Sequence, residues 1–223
     1  MIHILRFIIL FAIPLECFAQ LAPLQHVPSV GNAFWTEHRD YAWIHRGLQL
    51  SLKKDGTLFV DGYARVRIPK WAGPFPSAII SNLAAGEIEG ELLIAYTADM
   101  GGEGNSFVCR FARDLKSIRW CQMTMFNFSV FTGNDAIWVG AIGFIGRLDP
   151  KRGKYIWRQP MLYGAYSASG DSFNVTCPVA EDEATVTFES EGSNRGTEKQ
   201  IVLNRASGQI VSVTDIAGNR VCQ

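Results

Sequence analysis

Short runs in which apolar and polar residues alternate recur along this chain, separated by turns built from Gly, Asp, Asn and Pro. Leu48-Gln49-Leu50-Ser51-Leu52 alternates strictly, breaks at Lys53-Lys54-Asp55-Gly56, and resumes at Thr57-Leu58-Phe59-Val60. Period-two alternation reads as a half-buried strand, and Asp-Gly between two such runs is a strong hairpin signal. Further strands are predicted over 91–97, 136–139, 173–177, 185–190 and 210–214, all alternating or β-branched. The one ambiguous window, 81–93, contains Gly86 and Gly90, which disfavour a long helix. The pattern predicts an all-β protein.

A repeat organises the middle of the chain. Phe107-Val108-Cys109-Arg110-Phe111, then Trp120-Cys121-Gln122, returns without a gap as Phe144-Ile145-Gly146-Arg147-Leu148, then Trp157-Arg158-Gln159. The turn of the second copy is Asp149-Pro150-Lys151-Arg152-Gly153-Lys154, in which Pro presets the turn and Gly supplies a positive φ. A third copy over 201–211 keeps the apolar run, the Asn at the turn and the turn Gly, but has Ser212 in place of the Trp. It lies farther along than the period allows, which implies an insertion. A period of roughly 40 residues made of hairpins points to radially repeated sheets, the propeller arrangement.

The segment from Leu148 to Trp157 resembles the repeat of quinoprotein-type and WD-type β-propellers, where a hairpin reads Asp, turn, Gly-Lys, then Trp. In such repeats the Trp docks between neighbouring blades. The resemblance covers 107–122 and 144–159, and 201–211 more weakly. It implies a small or irregular β-propeller of about five antiparallel blades. It does not carry over the quinone. Those proteins have about eight blades and a disulfide between adjacent cysteines, and this chain has no Cys-Cys pair. No cofactor is expected.

Composition places the chain in a compartment. Met1 to Leu15 carries Arg6 and an apolar core from Phe7 to Ile13, and small Ala19 follows Cys17-Phe18. This reads as a secretory leader over 1–19, with one domain over 20–223. Glu16 argues against lipidation of Cys17. The longest later apolar stretch, 136–146, is too short and glycine-rich to span a membrane as a helix. The expected location is therefore the periplasm or the medium. Basic and acidic residues balance at 21 each and are interspersed, which disfavours nucleic acid as a partner.

Removing the leader leaves Cys109, Cys121, Cys177 and Cys222. Four cysteines allow three pairings. A hairpin over 107–122 centred on Leu115 sets Phe111 opposite Arg119 and Cys109 opposite Cys121, close enough for a bridge. Cys177 and Cys222 then pair by remainder. No C-x-x-C spacing exists, and no metal site is expected.

Catalytic motifs are absent: no nucleophile elbow, zinc-protease helix or P-loop occurs. His38 and Asp40 would share one strand face and His45 the other, which makes no dyad. Two stretches fit recognition. Asp99 to Ser106 is a Gly-rich polar loop offering Asp99, Glu103, Asn105 and Ser106, with a spacing unlike an EF-hand. Trp71 and Phe75, set among Pro and Gly, form either a partner anchor or a plug for the core.

The expected function is that of an exported protein-binding module, not an enzyme. At the level of class it resembles the propeller-like periplasmic immunity proteins that neutralise cell-wall-attacking type VI secretion effectors. That resemblance implies a secreted effector enzyme as partner, its active site occluded by a loop such as 99–106. The alternatives are a small propeller glycoside hydrolase or other hydrolase, with two flanking carboxylates, and a cell-envelope assembly factor.

Overall fold

Among the described residues, nineteen strands carry the alternation into three dimensions. The computed structural model describes residues 21–27, 29–30, 40–69, 79–99, 104–124, 128–133, 135–141, 144–160, 174–191 and 199–216. The leader, Trp71, Phe75, Glu103 and Cys222 lie outside these residues, and of Cys177 only the backbone is described. Among the described residues there is no helix, and none therefore long and apolar enough to cross a membrane.

The described chain opens on three two-residue strands, β1 (Ala22–Pro23), β2 (Gln25–His26) and β3 (Ser29–Val30). Four antiparallel meanders follow in chain order. Sheet I contains β4 (Asp40–His45), β5 (Leu48–Leu52), β6 (Thr57–Val60) and β7 (Tyr63–Arg67). Sheet II contains β8 (Ile79–Ile88), β9 (Glu91–Asp99), β10 (Gly104–Phe111) and β11 (Ile118–Thr124). Sheet III contains β12 (Phe128–Thr132), β13 (Ile137–Ala141), β14 (Phe144–Leu148) and β15 (Tyr155–Pro160). Sheet IV contains β16 (Asn174–Glu181), β17 (Thr185–Glu191), β18 (Lys199–Asn204) and β19 (Ile210–Asp215).

Burial explains why some strands alternate in sequence and others do not. Sheets I and II enclose one apolar cluster, II and III a second, III and IV a third. Sheets II and III are therefore covered on both faces. In β9, Leu92, Ile94, Tyr96 and Ala98 face sheet I while Leu93 and Ala95 face sheet III, so the run is continuously apolar. In β13, Ile137 and Val139 face sheet II while Trp138 faces sheet IV. Sheet I lies at the end of the stack, and there strict alternation survives in Leu48–Leu52.

The repeat is a docking device. Arg110 and Trp120 are cross-strand partners on β10 and β11, and Arg147 and Trp157 are the same pair on β14 and β15. Arg110 Nη1 and Trp120 Nε1 both donate to the carbonyl of Pro150, at 2.9 and 2.8 Å. Arg147 Nη1 and Trp157 Nε1 both donate to the carbonyl of Arg205, at 3.2 and 3.0 Å. Each acceptor is the second residue of the last turn of the next sheet. Asp149 and Asn204 open those turns by accepting backbone amides, and Gly153 and Gly208 close them at φ 67° and 74°. The indole lies directly over the glycine: a Cβ on Gly153 would sit 2.3 Å from Trp120, and one on Gly208 would sit 2.5 Å from Trp157.

Buried charge reinforces these junctions. Arg110, itself buried, also reaches Glu91 and Glu89, each at 2.8 Å. Glu91 takes Arg119 as well, and that hydrogen bond, together with those from Arg110, holds its carboxyl below the usual range against the opposing effect of burial. At the next junction Arg205 binds Glu181 at 2.7 Å and also Asp135, and Trp138 Nε1 donates to Glu181 at 3.2 Å.

Three expectations are refined. Cys109 does face Cys121, with Cα atoms 4.1 Å apart and the sulfurs joined. The outer register differs, because a bulge after Arg110 sets Phe111 opposite Ile118 rather than Arg119. The third copy is the β18–β19 hairpin, equivalent in position to the first two. The 48–60 hairpin is real but joins the second and third strands of its sheet, whereas the repeat joins the third and fourth. The equivalent turn in sheet I is Asp61-Gly62, at φ 50° and 82°.

Candidate functional site

The N-terminal strap determines where a site can form. β1 pairs with β12, β2 with β8 and β3 with β4, so nine residues run across the first strands of sheets III, II and I in turn. Leu24 N and Val27 N add bonds to the carbonyls of Val130 and Leu83. Gly86 lacks a side chain where the strap passes; a Cβ there would lie 2.3 Å from Leu24 Cδ2. Close approach of another segment is what a strand glycine permits.

A cleft of about 600 Å³ opens where the strap leaves sheet I. Its walls are Ala22, Pro23, Gln25, His26 and Val27 of the strap, Trp43, Ile44 and His45 of β4, Ala85, Gly86 and Glu87 of β8, and Thr132 of β12. Glu87 is held by Arg46 in a two-point contact, Nε at 2.7 Å and Nη2 at 2.6 Å. That hydrogen bonding keeps the Glu87 carboxyl below its usual range. Burial lowers the His45 pKa, Arg46 adds to the effect and Glu87 opposes it, so His45 is a neutral imidazole near pH 7. Trp43 Nε1 is buried without a hydrogen-bond partner. The cleft thus offers aromatic surface and hydrogen-bonding groups with its one described carboxylate already paired.

Beside the cleft, β4 and β5 meet in the two-residue turn Arg46-Gly47, with both residues at positive φ (51° and 78°), as a tight hairpin requires. Ile44 is 77% exposed, and Leu48, across the turn, is also exposed. A projecting hairpin with apolar flanks is a common form for an interaction surface.

The sequence-predicted loop lies elsewhere. Asp99 ends β9 and pairs with Gly104, so 99–106 is the β9–β10 hairpin. Asn105 is half-buried. Ser106 is fully buried, its hydroxyl 3.1 Å from that of Thr97. Asp99 pairs with Ile79 at the start of β8, whereas the cleft is lined by Gly86 and Glu87 near its end. At the rise of an extended strand the two features are roughly 20 Å apart and form separate surfaces. Glu103, Trp71 and Phe75 lie outside the described residues. Among the described residues no three His, Cys, Asp or Glu side chains converge as metal ligands would.

Sequence reasoning did not single out Trp43 or Glu87, and it took His45 only as a residue that makes no dyad with His38 and Asp40. Their meeting depends on pairing between the strap and β8, which leaves no periodic signal in two-residue strands. The sequence matches no protein-family model and no curated protein.

Proposed function

We propose that this chain is an exported protein-binding module whose four sheets are the blades of a small, open propeller-like array. Support for the array comes from the meanders following in chain order and from the strap, which gathers the first strands of three sheets as inner strands gather around an axis. The observation that carries the binding reading is the β4–β5 hairpin tip. Two large apolar side chains, Ile44 and Leu48, stand in solvent there beside a cleft lined by Trp43. A two-residue turn tied to sheet II through the Arg46–Glu87 ion pair presents such a tip at low entropic cost.

The specific form of this reading is a periplasmic immunity protein that seats the tip in the active-site cleft of a secreted cell-wall-attacking enzyme. The test is affinity capture from an envelope extract with the wild-type chain and with Ile44→Asp/Leu48→Asp, followed by inhibition assays on the captured enzyme. One dominant partner, inhibited by the wild type and released by the double variant, is the expected result. Hydrolysis of a glycan panel with no partner captured would replace this reading with the hydrolase.

A further inference from the structure

We infer that the free edge of β4 at Ile44 receives an extended segment of the protein partner as an added strand. The inference rests on the protein-binding reading and specifies its main-chain chemistry. Antiparallel ladders alternate residues whose backbone groups point to one neighbour with residues whose groups point to the other. The two-residue turn Arg46-Gly47 makes His45 and Leu48 the closing pair bonded to each other. Ile44, one step back, therefore directs its N–H and C=O away from β5.

On that side β4 meets β3 only at Asp40 and Tyr41. Farther along, the strap has left for β8, where Gln25 and His26 pair with Ala85 and Ala84. Among the described residues the backbone groups of Ile44 have no partner. Ile44 and Trp43 both line the cleft, and the indole Nε1 of Trp43 is buried without a hydrogen-bond partner. Neither Pro, Lys nor a bulge protects this stretch of edge, the usual devices against strand addition. The strap shows the mode in cis, as it binds three first strands of the same array by short antiparallel pairings. A partner strand continues along β4 from where the strap departs.

Cleft chemistry defines the occupant. Glu87 is neutralised by Arg46 and His45 is neutral, so a charged residue opposite Ile44 would find no counter-charge. The segment is extended and uncharged, with apolar residues alternating. Strand addition of this kind draws affinity from main-chain bonds and specificity from alternate side chains.

The test pans a phage-displayed random peptide library against the full chain. Selected peptides are then measured by fluorescence anisotropy against Ile44→Pro and Ile44→Ala. Proline removes the outward N–H and leaves the β5 ladder intact. Expected are uncharged alternating peptides, weakened by Ile44→Pro roughly tenfold more than by Ile44→Ala, which loses the apolar side chain but keeps the N–H, the scale of one lost hydrogen bond. Hydrogen exchange of the wild type should show the Ile44 amide slowed by peptide. Equal binding to both variants, no slowing at Ile44, or no enriched peptide overturns the inference. So does concentration-dependent dimerisation that Ile44→Pro abolishes, which would make a second copy the occupant. If the captured partner still binds Ile44→Pro, strand addition fails while the protein-binding reading stands.

Discussion

Arg110 and Trp120 face each other across β10 and β11 and donate to one oxygen, the Pro150 carbonyl of the following sheet. Sharing an acceptor makes the two side chains energetically interdependent. Trp120→Phe keeps most of the ring packing and loses the N–H, an expected cost of about 1 kcal/mol. Arg110→Met strips buried Glu91 and also Glu89 of a partner and should cost about 3 kcal/mol. The double variant should depart from the sum by at least 0.5 kcal/mol, on the order seen for residues in one network. Urea unfolding of the four proteins measures the cycle.

Gly153 separates two effects of a side chain at positive φ. Gly153→Ala at φ 67° adds a Cβ 2.3 Å from the Trp120 ring, whereas Gly47→Ala at φ 78° meets nothing within 4 Å. Backbone strain alone predicts about 1 kcal/mol for Gly47→Ala. Gly153→Ala should exceed it by at least about 1 kcal/mol, because the indole must move. Equal shifts in urea midpoint would show that the Trp120 contact is soft.

The Cys109–Cys121 bridge closes a short loop within sheet II. Constraint of the unfolded chain predicts about 3 kcal/mol from such a loop. Cys109→Ala/Cys121→Ala, or reduction of the wild type, should lower the urea midpoint accordingly. Because Cys109 is buried against Tyr96, reduction should be slow until the chain opens.

Acid should destabilise the fold in two stages. His45 has a folded-state pKa below its unfolded 6.5, so below about pH 6.5 the unfolded chain binds more protons and stability falls. Glu91 and Glu87 have folded values below 4.5, so their contribution is complete above that value and is lost as pH falls through the folded pKa. His45→Gln should remove the first stage and Glu91→Gln should reduce the second, as read from urea midpoints across pH. A pH 5–6.5 slope unchanged in His45→Gln would place the titrating group elsewhere.

The parts of the fold that repeat were legible in the chain. The Trp and turn Gly of 107–122 and 144–159 marked equivalent hairpins, and the opposed cysteines followed from hairpin register. Arg110 and Arg147 were visible in the repeat without a role, because their acceptors are backbone carbonyls of turns far along the chain, which have no side-chain signature. Ser212 stands at the position that Trp120 and Trp157 occupy in the other two copies. The strap and its cleft were illegible. Two-residue strands have no periodicity, and the neutrality of His45 depends on burial by segments distant in sequence.

The strap also sets a schedule. Ala22 is paired with Thr132, so this end of the strap can be seated only once β12, the first strand of sheet III, has been made. The pairings with β4 and β8 need no residue beyond 88, so the strap can be laid down in order from sheet I to sheet III. Of the three pairings the strap makes, the one nearest its start is the last that can form.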